Sequence, residues 1–198
     1  MDIKEKLAVV AGFCRGLAER GSVPHMYYLG IGYFYGYGGE KDLAKAAEWW
    51  QKAADQGFAE AQYTLGECYY YGNLGFKPLK AVEWFRKAAE QGHARAQLML
   101  GILYALGHHI GQDLAKAVEW YQKAAEQGYD EAQRYLAECY EKGEGVEKDL
   151  DKAAEWYLRS ITKEWSVYYY YAPPFKMQFF ADETNYLDKV VELIKKQN

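Results

Sequence analysis

The side chains able to do chemistry are few, and their spacing suits no reaction. His108 and His109 adjoin in "GHHIGQD", but adjacent imidazoles on an irregular loop rarely converge on one ion. No cysteine or carboxylate stands beside them at ligand spacing, so they are read as an ordinary polar loop. Cys14, Cys68 and Cys139 are too scattered for a metal pair or a disulfide framework. His25 and His93 fall at helix starts or in inter-helix loops. There is no glycine-rich phosphate cradle, no zinc-protease helix, and no serine or cysteine in a recognisable nucleophile setting. The chain is therefore expected to be no enzyme, with no catalytic residue, no metal site and no cofactor.

Bulk properties narrow the partner class. A formal net charge of −4 lacks the clustered basic charge that nucleic acid or an anionic membrane surface requires, so neither is expected. Half of the 198 residues are hydrophobic, ample for a core. Aromatic content of 17%, carried by 20 Tyr, exceeds what core filling needs and predicts rings on a binding surface. At the start, the apolar run "LAVVAGFC" is short. Phe13 stands where a lipoprotein signal has a small residue, and Arg15 follows Cys14 directly. This segment is read as a helix of the mature protein in a cytoplasmic setting. No run approaches the roughly 20 apolar residues of a membrane span.

The elements that must position any binding surface come from a repeat. "AAEWWQKAADQG", "AVEWFRKAAEQG" and "AVEWYQKAAEQG" end at Gly57, Gly92 and Gly128. Trp49, Trp84, Trp120 and Trp156 follow one another at 35, 36 and 36 residues, and are read as the core aromatic of each repeat. Leu29-Gly30, Leu65-Gly66, Leu100-Gly101 and Leu136-Ala137 keep the same beat, each trailed by a tyrosine: Tyr33, Tyr69, Tyr104 and Tyr140. Each unit parses into two helices. The glycine beside leucine lets a neighbouring helix approach closely, which accounts for its helix penalty of about 1 kcal/mol. Asp42, Asp113 and Asp149 stand as N-caps of second helices, Pro78 replaces the cap in the second unit, and Gln-Gly ends the second helix with a left-handed glycine.

Such a hairpin cannot bury its own apolar stripe, so stacking is expected to give an all-α solenoid, a right-handed superhelix of four helix-turn-helix units. The expected organisation is an N-terminal capping helix in 1–22, repeats 23–57, 58–92, 93–128 and 129–163, and a non-repeat extension 164–198. Gly21 lies one period before Gly57, which puts Phe13 in the tryptophan slot of a lone second helix. In the extension, "SVYYYYAPPFKMQFF" is β-prone and broken by Pro173-Pro174, and helix returns after Asp182 or Thr184.

"AEAQYTLGECYYYG", "KAVEWFRKAAEQG" and "GEGVEKDLDKAAEWY" resemble the Sel-one-like repeat, a relative of the tetratricopeptide repeat. The fourth unit departs from the pattern, with Ala137 for glycine and "LRSITKEW" in place of Gln-Gly, as a terminal cap would. The paired cysteines of the family's secreted, disulfide-bonded members are absent.

The resemblance implies that first helices line a concave groove and that a partner polypeptide binds there. At about 100° per residue, positions two before and two, five and six after each Leu face away from the Leu-Gly-Tyr side. They are Tyr27, Ile31, Phe34 and Tyr35; Tyr63, Glu67, Tyr70 and Tyr71; Leu98, Ile102, Ala105 and Leu106; and Arg134, Glu138, Glu141 and Lys142. A solvated face should be polar, as the fourth is; the first three are apolar and aromatic, the signature of a protein-binding surface. Two accounts of that face stand open: a partner's apolar or aromatic segment, its basic flanks selected by Glu67 and Glu138, or the chain's own Tyr168–Tyr171 folded back over it. The favoured class is a non-catalytic adaptor, scaffold or inhibitor, with a bacterial toxin-neutralising immunity protein as one subtype. The alternative, a ligand- or nucleic-acid-binding helical repeat, needs a basic lining, and this face has few Arg or Lys.

Overall fold

The computed structural model describes residues 3–37 and 39–171, among which there are nine α-helices and no strand. The chain divides into two compact units, Met1–Ala96 and Gln97–Asn198. The first holds α1 (Ile3–Glu19), α2 (Val23–Tyr35), α3 (Leu43–Asp55), α4 (Ala59–Tyr70) and α5 (Pro78–Glu90). The second holds α7 (Leu114–Glu126), α8 (Asp130–Lys142) and α9 (Leu150–Tyr171) with most of α6 (Ala94–Leu106). Within the first unit α1 packs on α2, α2 on α3, α3 on α4 and α4 on α5; within the second, α7 packs on α8 and α8 on α9.

The helix ends are where the sequence puts them. Backbone N–H groups of Lys45, Lys116 and Lys152 donate to Oδ1 of Asp42, Asp113 and Asp149 at 2.9, 3.0 and 3.0 Å, and each lysine also pairs with its aspartate. Pro78 opens α5. The three aspartates close their loops the same way, their own N–H donating 2.9 Å to the carbonyls of Tyr33, Tyr104 and Tyr140. Gly57, Gly92 and Gly128 have φ of 86, 90 and 79°, a region in which a Cβ would strain the backbone. Gly21 shares it, and its N–H bonds to Ala18 as that of Gly57 does to Ala54, so α1 ends as a second helix does.

The core register differs from the sequence expectation by one residue. Trp50, Phe85, Tyr121 and Tyr157 are only 2, 0, 3 and 0% exposed. Trp84 is buried as well, whereas Trp49, Trp120 and Trp156 are half-buried. Neighbouring helix positions differ by about 100°, so only one of two adjacent aromatics can point at the partner helix. The second one does. A methyl group at Gly30, Gly66 or Gly101 would overlap the ring of Trp50, Phe85 or Tyr121, which is why the first helices carry glycine there. In the last repeat Ala137 carries a methyl and packs with Ala153 and Tyr157. The tryptophan before each core ring, half-buried except for Trp84, lies beneath a cation three residues on: Lys52, Lys87, Lys123 and Arg159 sit 4.1, 4.1, 4.0 and 4.4 Å from the ring centroids.

Glutamines close the backbone at the hairpin ends. Gln91 donates to Gln62 Oε1 at 2.6 Å, and Gln62 donates to the Ala54 carbonyl at 3.0 Å. Gln127 donates to Gln97 at 2.7 Å and Gln133 to Ala125 at 3.1 Å. The fourth repeat has Lys163 at the position of Gln127, and Gln133 Oε1 is buried without a hydrogen-bond partner.

One element overturns its expectation. Ser166–Tyr171 continues α9 instead of forming extended chain. The fourth repeat lacks the Gln-Gly stop, and no glycine or proline intervenes before Pro173. Local β preference gives way to a helix already under way. The expectations for Pro173-Pro174, for a helix after Asp182 or Thr184, and for a tail beyond Tyr171 lie outside the described residues.

Candidate functional site

The predicted face of the first unit is aromatic, and part of it is braced on the core. Tyr27 meets Phe58 at 5.4 Å between centroids, Phe34 meets Trp50 at 5.5 Å, and Tyr70 meets Phe85 at 6.3 Å. These rings and Ile31 are half-buried. The more open rings sit at the helix ends: Tyr35 is 53% and Tyr71 64% exposed, against Phe34 and Tyr70 respectively. Tyr37, which the spacing argument does not reach, stacks on Tyr35 at 5.4 Å and 20°. Burial raises the pKa of the Tyr71 hydroxyl, helped by the Glu67 carboxylate, so Tyr71 is a neutral donor at physiological pH.

In the second unit the prediction divides. Leu106 is exposed, Ile102 and Ala105 are half-buried, and Arg134 and Glu138 are half-buried on α8, with Glu138 3.8 Å from Lys142. Leu98 is only 4% exposed and belongs to the core with Val118 and Tyr121, Tyr129 packing at its edge. It is therefore no part of an open face. In the first unit the position two before Leu packs against the residue that opens the next first helix. Tyr27 has Phe58 and Tyr63 has His93, while Leu98 lies in a buried cluster that Tyr129 borders. A helical wheel of one element cannot show this neighbour.

That junction carries the most structured polar site of the first unit. Tyr63 and His93 stack at 4.7 Å and 23°. His93 Nδ1 accepts the Ala96 N–H at 3.2 Å, which leaves Nε2 as the protonated nitrogen of the neutral ring. Burial lowers the pKa of His93, with Glu60 opposing and Arg95 assisting. Tyr63 Oη donates to Glu67 at 2.8 Å. These groups border a cavity of about 310 Å³ together with Tyr27 and Thr64. Sequence reasoning named Tyr27, Tyr63 and Glu67 but missed Glu60, Thr64 and His93. Glu60, Tyr63, Thr64 and Glu67 recur at i, i+3, i+4 and i+7, the one signal that could have joined them.

Among the described residues, no group of three His, Cys, Asp or Glu could hold a metal ion, and no helix is long and apolar enough to cross a membrane. Cys68 and Cys139 are buried, and burial pushes each thiol up to about 11, far from a reactive thiolate.

Fold and face together describe helical hairpins whose first helices vary outward over a recurring core pattern. The chain belongs to the Sel1 repeat family: the family model matches residues 26–58, 59–93, 94–129 and 130–163. Among solved structures, a protective antigen of uropathogenic Escherichia coli with an SLR fold is 31% identical, with TM-score 0.76, over 92% of this chain and 40% of its own length. This chain thus spans less than half of that protein. A Sel1 repeat protein from Oxalobacter formigenes is 29% identical, with TM-score 0.72, over 92% of this chain and 76% of its own. An immunity protein from Pseudomonas aeruginosa shares the fold at 23% identity and TM-score 0.55, over 94% of this chain and 74% of its own. None of the curated proteins compared with the chain is similar to it. Sel1 repeats are protein-interaction modules, and the family is generally non-catalytic.

Proposed function

We propose that this protein is a non-catalytic binding module that holds a partner polypeptide against the outer faces of its first helices, chiefly α2 and α4. One observation carries this. Repeats one and two have the same kinds of core residue as repeat four, yet keep Tyr35, Tyr37 and Tyr71 exposed, where repeat four places Lys142 and Glu144. Rings left about half in solvent gain little beyond contacts with their neighbours in the isolated chain; they gain more when a partner covers them. In the narrower form of this proposal the module is an inhibitor that masks a toxin, and the same fold occurs in a P. aeruginosa immunity protein.

Affinity purification of the full chain from its native cell, with mass spectrometry, tests it. The wild type should capture a reproducible partner that Tyr35→Ser/Tyr71→Ser loses and Glu138→Ser/Lys142→Ser keeps. Equal capture by all three would overturn the assignment to α2 and α4. For the narrower form, the captured protein expressed alone should arrest growth, and co-expression with this protein should restore it.

A further inference from the structure

The cavity between α2, α4 and the start of α6 has an acidic wall. Glu60 and Glu67 lie two turns apart on one face of α4, and both border it. Neither is joined to a lysine or arginine by an ion pair among the described residues. Charged groups facing the cavity are these two carboxylates and Arg95; His93 is held neutral near pH 7. The local charge is thus negative by one. Tyr27 and Tyr63 supply ring surface beside the carboxylates, and the hydrogen bond from Tyr63 to Glu67, with the stack on His93, fixes that ring in place.

We propose that this cavity is a socket for an arginine side chain of the partner polypeptide. The planar guanidinium matches both parts of the wall: it stacks on an aromatic face and donates in a fork to a carboxylate. A volume of about 310 Å³ suits one side chain and not a folded element. Glu67 keeps an oxygen for the guest while its other oxygen accepts from Tyr63. No other junction repeats the site. The first-helix opener is Phe58 in repeat two and Tyr129 in repeat four, and Ile31 and Ile102 stand where repeat two has Glu67. The socket rests on the proposed binding face, and specifies its chemistry.

The test titrates the full chain with the blocked tripeptide acetyl-Gly-Arg-Gly-amide, reading the His93 ring signals by NMR, assigned with His93→Asn. A saturable shift at millimolar concentration is expected, with the citrulline tripeptide, of like shape but uncharged, binding at least about tenfold more weakly. Glu67→Gln, which still accepts from Tyr63 and should melt as the wild type does, should weaken the arginine peptide about tenfold. No saturable shift up to about 10 mM, equal binding of the citrulline peptide, or equal binding by Glu67→Gln would overturn the socket. Free arginine binding more tightly than the blocked peptide would assign it to a small molecule and overturn the polypeptide guest. A partner captured equally by wild type and Glu67→Gln, yet lost by Tyr35→Ser/Tyr71→Ser, refutes the socket alone; capture of nothing by wild type refutes the binding face itself.

Discussion

Helices α4 and α8 occupy the same step of the repeat and show what that step leaves free. Their inward residues are nearly the same set: Ala61, Gln62, Leu65 and Cys68 in α4, Ala132, Gln133, Leu136 and Cys139 in α8, all buried. Their outward residues share almost nothing. Where α4 has Tyr63, Tyr70 and Tyr71, α8 has Arg134, Glu141 and Lys142. Packing against the second helix constrains the first set, because a misplaced methylene in a close-packed core is felt at once. The fold uses part of the second set, Tyr63 against His93 and Tyr70 against Phe85, but Tyr71 is 64% exposed, and its aromatic character calls for a cause outside the fold.

The comparison breaks first, and hardest, at the core. Tyr121→Ala, beside Gly101, should lose about 3–5 kcal/mol in denaturant unfolding, and Trp120→Ala, its half-buried neighbour in sequence, roughly half of that. Equal losses would mean that the two adjacent aromatics share the core role. Next comes a graft of the α8 face onto α4, Tyr70→Glu/Tyr71→Lys. It should leave the circular dichroism of the chain unchanged, cost about 1–2 kcal/mol because Tyr70 touches Phe85, and abolish partner capture. Retained capture would show that α4 is no better a binding face than α8.

The His93 junction gives a smaller, pH-dependent effect. Its pKa is lowered by burial, so the folded state disfavours the imidazolium. Stability is then full above the unfolded value near 6.5 and falls as pH drops below it, because only the unfolded chain takes up the proton readily. Thermal melts between pH 8 and 5 should fall less for His93→Asn, which keeps a capping side chain without the titration. A steeper fall in the variant would contradict the buried, neutral ring. Smallest of all, Tyr35→Ser should change stability by no more than about 0.5 kcal/mol, since its ring is mostly in solvent; a larger loss would make it a structural residue.

Much of the fold was legible because the repeat is a local code. Aspartate caps, Pro78, the left-handed glycines and the glycine beside leucine each act within a few residues or on one neighbouring helix, and periodicity supplies the neighbour. The candidate site was less legible. Tyr35 and Tyr71 emerge from a helical wheel, but Leu98 does not reveal that it is covered, and Tyr37 and His93 lie on no wheel at all.

The order of elements, the capped ends of the repeat helices and the four-fold beat were thus determined by residue types and spacing alone, because capping and helical periodicity are settled within one hairpin; the run of α9 through Tyr171 was not. Tertiary structure alone decided which of two adjacent aromatics fills the core, that Leu98 is sealed, and that His93 stacks on Tyr63 above two carboxylates. Each of those outcomes depends on where a helix many residues away comes to rest, and a side chain's burial belongs to that meeting and not to its own segment.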